Sequence, residues 1–425
     1  MDLSRRRFLQ AAVLTAAAAG ATAACGGGAG AGGTKNGKNL TLWYWGGGLS
    51  DKVVKDAEAH FTTVTLKSAQ IGGDFKQKLL TTLTGGQSVP DITGIKGEDM
   101  ASFLPNANRF LDLNDLGFKE IASQYLGWKT DLARSEDGRQ IGFPIDIGPT
   151  AMFYRRDFFE KAGLPTEPDQ VAAQIKTWDD WFAAGRELRK AVPSASLINS
   201  ASAVFDIAVG QGTQRFIDKD NRFIGDQDHI RAAWDLAVRP YELGLDAKIN
   251  DNSWNAAIAK GALATELGAA WHALDISSAA PDSKGKWRVA PMPGGPSNLG
   301  GSFLALPRQC RNPEQAFKIV SWLLSPANDA RGFADAAIFP AAPAAYAMPQ
   351  MTSGDPYFGG QKTIDVFGPA AKAIPAAYEA PADAAVMATF KTELTNVETK
   401  GKKPDDAWND AVSQAKQIAQ RQGVR

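Results

Sequence analysis

Cysteine and histidine are scarce in this chain of 425 residues. The only two cysteines are Cys25 and Cys310, so no disulfide framework of the kind that staples small secreted domains can form. The three histidines, His60, His229 and His272, are too scattered to follow the spacing of metal ligands. We therefore predict that the protein has neither a metal site nor a cofactor.

Net charge and catalytic motifs are also missing. The 46 basic residues equal the 46 acidic ones, which gives no electrostatic footprint for nucleic acid. Neither a Gly-x-Ser-x-Gly nucleophile motif nor a phosphate-binding Gly-Lys-Ser/Thr loop occurs. The sequence thus favours a protein that is not an enzyme. A secreted carbohydrate-active enzyme stays open as an alternative, because paired catalytic carboxylates can come from anywhere in a sequence.

The amino terminus is typical of an exported protein. Residues 1–24 combine Ser4-Arg5-Arg6, a pattern typical of twin-arginine export signals, with an Ala-rich stretch that is too short to span a bilayer. Thr22-Ala23-Ala24-Cys25 is similar to the lipobox of bacterial lipoproteins, in which the cysteine carries lipid. Residues 25–38 are rich in Gly and predict a flexible leash. We expect a protein that is anchored by lipid on Cys25 to the outer face of the cytoplasmic membrane.

Residues 39–425 are long enough for two lobes with separate cores. Alternating apolar residues from Leu40 to Trp45 predict a strand, and apolar residues at helical spacing follow from Val53 to Phe61. The same alternation of strands and helices continues and predicts an α/β fold with largely parallel sheets. Further strands are predicted at residues 64–67, 90–95, 263–271, 287–292 and 299–307.

Several segments, in this order, resemble the extracellular solute-binding proteins of bacterial ABC sugar importers, the family that includes maltose-binding protein. The resemblance runs from about residue 39 to the carboxyl end. It is carried by residues 75–83 with Pro90-Asp91, by 142–146 running into 151–157, by 177–181, by 291–295, by 300–303 and by 312–316.

The resemblance implies a two-lobed periplasmic-binding-protein-like fold of type II. Each lobe would be a mostly parallel sheet flanked by helices, and three hinge crossings would join the lobes near residues 151–156, 302–307 and 340–349. The N-terminal lobe would comprise residues 39–150 plus 305–345. The C-terminal lobe would comprise residues 151–304 plus 346–425.

The resemblance also implies the function. A monomeric receptor of this family captures a di- or oligosaccharide in the cleft and delivers it to ABC permease subunits when the lobes close. The family also binds polyamines and glycerol phosphates, and these alternatives stay open. A polyamine would need an acidic cage with aromatics, whereas a phosphate would call for clustered arginines or a helix amino terminus.

Aromatic rings cover the apolar faces of a sugar, and carboxylates and amides bond its hydroxyls. The candidate solute-binding residues at positions that the resemblance places in the cleft are Trp45, Gly47, Lys96, Glu98, Asp99, Asp146, Trp254, Trp271, Gly301, Phe303, Phe358 and Gln361. Gly301 is included because it permits close approach of the backbone. For Trp45 and Phe303, packing in the protein core is an alternative role. For Lys96, Glu98 and Asp99 the alternative is a solvated loop, and for Trp254 it is the start of a helix.

Overall fold

A computed structural model describes residues 37–250 and 253–425. The predicted signal peptide, Cys25 and all but the last two residues of the predicted leash lie outside these residues. Within the described ranges, no helix combines the length and the apolar content that crossing a membrane would require.

The strands form two sheets, and the predicted strand segments are confirmed within a few residues. The strands are β1 (Asn39–Tyr44), β2 (Thr65–Gln70), β3 (Ile92–Lys96), β4 (Phe143–Pro144), β5 (Thr150–Arg155), β6 (Thr265–Ala269), β7 (Trp287–Pro291) and β8 (Ser302–Ala305). The first sheet has the order β2-β1-β3-β8-β4, and the second has the order β6-β5-β7.

Helices surround both sheets. The α-helices are α1 (Asp51–His60), α2 (Phe75–Gly85), α3 (Gly97–Phe103), α4 (Phe118–Ile121), α5 (Gly127–Asp131), α6 (Arg156–Lys161), α7 (Pro168–Gln174), α8 (Trp178–Ala191), α9 (Ala201–Gln211), α10 (Asp228–Glu242), α11 (Trp254–Lys260), α12 (His272–Ala279), α13 (Pro313–Leu323), α14 (Pro326–Ala336), α15 (Pro349–Thr352), α16 (Ile364–Ala373), α17 (Asp383–Lys400) and α18 (Pro404–Arg421).

Helix starts follow the capping signals in the sequence. The Ser50 hydroxyl accepts a hydrogen bond from the Val53 amide and begins α1. Thr177 and Asp180 form the reciprocal capping box that begins α8. These local signals determine the residues at which α1 and α8 begin.

The prediction of mostly parallel sheets is wrong for the second lobe. In the first sheet β1 pairs in parallel with β2 and β3, while β8 runs antiparallel to β3 and β4. In the second sheet β5 runs antiparallel to both β6 and β7. The reason is that β5 enters this lobe from the first one and inserts between two mutually parallel strands. An alternation of strands and helices cannot reveal such an insertion.

The first two lobe crossings lie several residues before the predicted positions, because residues 151–156 and 302–307 are mostly strand. The chain crosses between β4 and β5 at residues 145–149 and returns between β7 and β8 at residues 292–301. Ser302–Leu304, which the predicted division assigned to the second lobe, pair with β3 of the first sheet. The remaining lobe boundaries stay a prediction.

The crossings run side by side. The Ile147 amide donates to the Phe339 carbonyl at 3.0 Å, and the Leu299 amide donates to the Gly148 carbonyl at 2.9 Å. A Cβ on Gly148 would lie 1.7 Å from the Leu299 carbonyl oxygen, so only glycine permits this approach. Backbone hydrogen bonds therefore hold the three connections together as one hinge.

Apolar side chains are buried on both faces of the second sheet. Along β5, Ala151 and Phe153 join a cluster that extends into the first lobe, while Met152 and Tyr154 join the core of the second lobe. This alternation is the normal consequence of the two-residue period of a strand. It anchors the sheet to the hinge on one face and to α8, α9 and α17 on the other.

Candidate functional site

A cavity of about 180 Å³, here called the inter-lobe cavity, lies between the two lobes. The first lobe contributes residues of α3, where Gly97 and Glu98 follow β3 directly. The second lobe contributes residues of α9 and of the start of α17, and residues that directly follow α9 or precede α17. The charged side chains among them are Asp206, Arg215, Glu379 and Asp383.

A larger cavity of about 490 Å³, here called the second-lobe cavity, adjoins the first. Asp206 and Leu299 line both cavities, so the two cavities are direct neighbours. The second-lobe cavity is also lined by Asn199, Ser202, Trp254, Glu266, His272 and Lys391.

One hydrogen bond and one ring contact fix the orientation of the Trp254 ring in the second-lobe cavity. Its Nε1 donates to Glu266 Oε1 at 2.8 Å, and its ring centre lies 5.0 Å from that of His272. His272 contacts Glu266 at 3.3 Å and Asp275 at 3.4 Å through its two ring nitrogens. Burial disfavours its cation, but the bonds to Asp275 and Glu266 prevail and raise the pKa of His272 to about 9. The indole is therefore a rigid apolar platform next to polar groups.

Three buried side-chain oxygen atoms of residues that line the second-lobe cavity have no hydrogen-bond partner among the described residues. They are Asn199 Oδ1, Ser202 Oγ and Asp206 Oδ1. Native proteins leave few such atoms unpaired, since each costs about 1–3 kcal/mol. These atoms can all accept a hydrogen bond, so the cavity is suited to a molecule that donates hydrogen bonds.

The inter-lobe cavity has an acidic lining. Burial raises the pKa of Glu379, the positive Arg215 and Lys129 oppose this rise, and the negative Glu98 adds to it. Burial likewise raises the pKa of Asp383 to about 7, and Glu379 increases it further. The negative charge of Glu98, which comes from the opposite lobe, therefore disfavours the ionised form of Glu379.

A buried charged pair lies beside the hinge crossings. Lys129 is fully buried, and its Nζ is 3.7 Å from the centre of the Phe303 ring. Burial lowers the pKa of Lys129 to about 8, against the attraction of Asp146. Burial raises the pKa of Asp146 to about 6, against Lys129 and Ser302. Neither Lys129 Nζ nor Asp146 Oδ1 has a hydrogen-bond partner among the described residues, so the pair is held by charge and packing.

Two of the predicted site residues line the cleft from opposite lobes. Glu98 lines the inter-lobe cavity, and Trp254 lines the second-lobe cavity, although it also begins α11 as the alternative reading expected. Trp271 lies nearby and 37% of its surface is exposed, with Nε1 at 3.4 Å from the Leu299 carbonyl oxygen. These residues are the part of the predicted set that the structure brings to one region.

Other predicted residues surround the end of the first sheet. The Trp45 ring packs edge-on against Phe75, with 5.2 Å between the ring centres. Lys96 Nζ lies 5.6 Å from the centre of the Trp45 ring. Asp99 forms an ion pair with Lys76 at 2.9 Å. Gly47 is an exposed turn residue with φ of +80°. The structure gives each of these side chains a protein partner or an exposed position and places none of them on the wall of either cavity.

Three predicted site residues are corrected by the structure. The side chains of Phe303 and Phe358 are fully buried, because Phe303 lies in a hydrophobic core of the first lobe and Phe358 packs 5.8 Å from Phe153. The Gln361 amide bonds both the N–H and the carbonyl of Val289, at 2.9 and 2.7 Å, and thereby satisfies the edge of β7. Neither phenyl ring can contact a solute in this arrangement, and the partly exposed Gln361 uses its amide to bond β7.

The remaining predicted positions serve the hinge. Gly301 has φ of +84°, and a Cβ there would lie 2.8 Å from both the Asp146 carbonyl oxygen and Lys129 Nζ. The absence of a side chain at Gly301 thus leaves room for Asp146 and Lys129 and not for a solute. Asp146 lies in the first crossing, where its backbone pairs with Pro340 of the third.

Sequence reasoning missed most of the polar cleft, although two residues carried a signal. Asp206 is the single charged residue of the largely apolar helix α9, and Glu266 is the single charged residue of the fully buried strand β6. Carboxylates are rarely buried in such elements without a function or a partner. Nothing in the local sequence marks Glu379 or Asp383.

The described residues thus define a two-lobed binding protein with a polar cleft at its hinge. Residues 46–357 match the profile of the bacterial extracellular solute-binding protein family, and the chain belongs to that family. The predicted resemblance is confirmed. Members of the family bind solutes without transforming them, so the prediction that the protein is not an enzyme is also confirmed.

Curated relatives are similar over part of their length. The chain is 28% identical over 272 residues to the arabinooligosaccharide-binding protein of Bacillus subtilis (strain 168), covering 59% of each chain. It is 27% identical over 282 residues to the lactose-binding protein of Rhizobium radiobacter, covering 62% of this chain and 65% of the relative. The chain thus spans about three fifths of the length of these relatives.

Solved structures share the whole fold. A crystal structure of an extracellular solute-binding protein of family 1 is 31% identical, with a TM-score of 0.84, covering 90% of this chain and 99% of the other. The sugar-binding protein MalE of Xanthomonas citri is 17% identical, with a TM-score of 0.76, covering 90% and 98%. These matches confirm the predicted α/β periplasmic-binding-protein fold.

Proposed function

We propose that this protein captures an oligosaccharide in the cleft formed by the inter-lobe and second-lobe cavities. The observation that carries the proposal is the second-lobe cavity, in which the fixed Trp254 ring lies among acceptor atoms that have no partner. An indole face suits the C–H face of a pyranose, and hydroxyl groups would satisfy the unpaired acceptors. The named ligands of two relatives, an arabinooligosaccharide and lactose, support the same class of solute.

We further propose that lobe closure around the sugar presents the protein to the permease of an ABC importer. A ligand favours closure only through contacts that it makes better in the closed state. Glu98 of the first lobe and the cavity residues of the second would supply these contacts from opposite sides. The protein is expected to act as a lipid-anchored receptor outside the cytoplasmic membrane.

A thermal-shift screen against neutral, amino and acidic saccharides tests the function. A saccharide at about 100 times its dissociation constant adds about 2.7 kcal/mol of stability, which raises the unfolding midpoint. Spermidine and glycerol 3-phosphate belong in the same screen. The proposal fails if either of these two shifts the midpoint and no saccharide does.

Replacing Trp254 with alanine should weaken saccharide binding by about 100-fold, because a central aromatic platform typically contributes 2–4 kcal/mol. Isothermal titration calorimetry measures the affinity. Trp322→Ala is the matched control, since Trp322 is also partly buried but stacks on His60 and lines neither cavity. Equal affinities of the Trp254→Ala variant and the unaltered protein would rule out this platform.

Replacing Cys25 with serine should release the protein from the membrane, since serine lacks the thiol that carries lipid. Fractionation of producing cells into membrane and medium, followed by immunoblotting, measures the release. Cys310→Ser is the control, because Cys310 is buried in the first lobe and should leave the protein at the membrane. Membrane retention of the Cys25→Ser variant would contradict the anchor.

A further inference from the structure

The two cavities differ in their balance of charge. In the second-lobe cavity, Asp206 and Glu266 are matched by Lys391 and His272. Asp206 Oδ2 accepts from Lys391 Nζ at 2.7 Å, and Glu266 contacts His272 at 3.3 Å. This cavity is therefore internally neutralised and fits an uncharged sugar ring beside Trp254.

The inter-lobe cavity has an excess of negative charge. Apart from Asp206, whose charge Lys391 matches, its lining contains three carboxylates, Glu98, Glu379 and Asp383, against the single guanidinium of Arg215. Arg215 donates through Nη1 to the carbonyls of Val209 and Gly212, at 2.8 Å each, so that its donors are directed partly at the backbone. Even with Lys129 buried beside the hinge, the carboxylates outnumber the cations.

The paired carboxylate, Asp206, also has an unused acceptor. Asp206 Oδ1 is buried and has no hydrogen-bond partner among the described residues, while Oδ2 is bonded to Lys391. Asp206 lies where the two cavities meet. A buried carboxylate oxygen that lacks a partner is costly, and a donor that reached it from the adjoining cavity would offset this cost.

The excess charge also affects how the lobes approach each other. Glu98 belongs to the first lobe and Glu379 to the second, and the charge of Glu98 disfavours ionisation of Glu379. Their repulsion opposes closure of the empty cleft. A cation between them would replace repulsion by two attractions, and would thus supply the differential contact that closure requires.

We propose that the solute is a saccharide with a free amine, whose ammonium group binds in the inter-lobe cavity between Glu98 and Glu379 and within reach of Asp206. An uncharged sugar ring of the same molecule occupies the second-lobe cavity against Trp254. This inference rests on the proposed function and specifies the chemical class of its solute. An ammonium group supplies three donors and a positive charge, whereas a hydroxyl supplies one donor and no charge.

The experiment compares saccharides that differ only in this group. The probes are glucose and galactose oligomers in three matched forms, with a hydroxyl, a free amine or an N-acetylated amine at C2. Calorimetry at pH 7 should give the amine form an affinity about tenfold higher than either uncharged form, because its hydrogen bonds are charge-assisted. The preference should decrease as ionic strength rises.

Two variants test whether the carboxylates cause the preference. Glu379→Gln keeps the shape of the side chain and should remove most of the preference for the amine form. Glu314→Gln, on an exposed first turn of α13 outside both cavities, should retain it. Because burial raises the pKa of Asp383 to about 7, binding of the cation should also release protons. Titrations in buffers with different ionisation enthalpies measure this release.

The outcomes separate this inference from the proposed function. If an uncharged saccharide binds as tightly as its amine form, the inference is overturned while saccharide capture stands. The same holds if Glu379→Gln leaves the preference unchanged. If no saccharide of any form binds, the proposed function itself fails.

Discussion

Replacing Asp91 with asparagine should lower the free energy of unfolding by about 3 kcal/mol, because it removes the charge from a buried, multiply bonded carboxylate. The Asp91 side chain is 1% exposed and accepts hydrogen bonds from the Thr41 amide at 2.8 Å and the Arg311 amide at 2.8 Å. The Arg311 guanidinium also binds it through Nε and Nη2. This single carboxylate thus joins β1 to the segment before α13.

Urea denaturation at pH 7 measures the effect of Asp91→Asn. The control is Asp56→Asn, since Asp56 pairs with Arg331 on the surface and such pairs contribute about 0.2–1 kcal/mol. Burial opposes ionisation of Asp91, but the bonds from Arg311 and Thr41 prevail and lower its pKa. Its contribution is therefore present at neutral pH and lost only in acid, as the pH falls through the lowered pKa. A loss no larger than that of the control would disprove this role.

The protein should be more stable at pH 5.5 than at pH 8, by about 2 kcal/mol. Glu398 is buried, and burial together with the neighbouring Asp246 raises its pKa from 4.5 to about 7, although Ala201 and Asn250 donate hydrogen bonds to it. A raised pKa means that the stabilisation is fully present below pH 4.5. It is lost as the pH rises through 7. The raised pKa values of Asp146 and Asp383 act in the same direction.

Asp246→Asn tests this assignment, because it removes the negative neighbour of Glu398 and should raise the free energy of unfolding at pH 8 by about 1 kcal/mol. Urea denaturation between pH 5.5 and pH 8 measures the profile, which should become flatter in the variant. Asp235→Asn is the control, since Asp235 lies in an exposed pair with Arg231. A flat profile in the unaltered protein would contradict the prediction.

The sequence predicted the elements better than their pairing. The alternation of Leu40–Trp45 and the caps at Ser50 and Thr177 are local features, and the corresponding strand and helices form as expected. The antiparallel position of β5 depends on which strands meet after the chain changes lobes. Such contacts between distant residues leave no local pattern.

The sequence predicted a site residue correctly only where a side chain of suitable chemistry is also exposed to the cleft. Glu98 and Trp254 line the cleft, whereas the aromatic rings of Phe303 and Phe358 are in the core. An aromatic residue beside glycines has the same local sequence in either case, and its burial is decided by packing across the hinge. Glu379 comes from the carboxyl-terminal part of the chain, and only the folded structure brings it opposite Glu98.

The residues that hydrogen-bond the three crossings to one another are largely different from the charged residues that line the cleft. Ile147, Gly148 and Leu299 hold neighbouring connections through main-chain hydrogen bonds, and the Gly148 amide also donates to Asn298 Oδ1 at 2.9 Å. Substitutions in α9, α11 or α17 can therefore change the chemistry of the cleft without altering the hydrogen bonds that hold the three crossings together. Solute specificity can therefore change during evolution while the connections between the lobes stay the same.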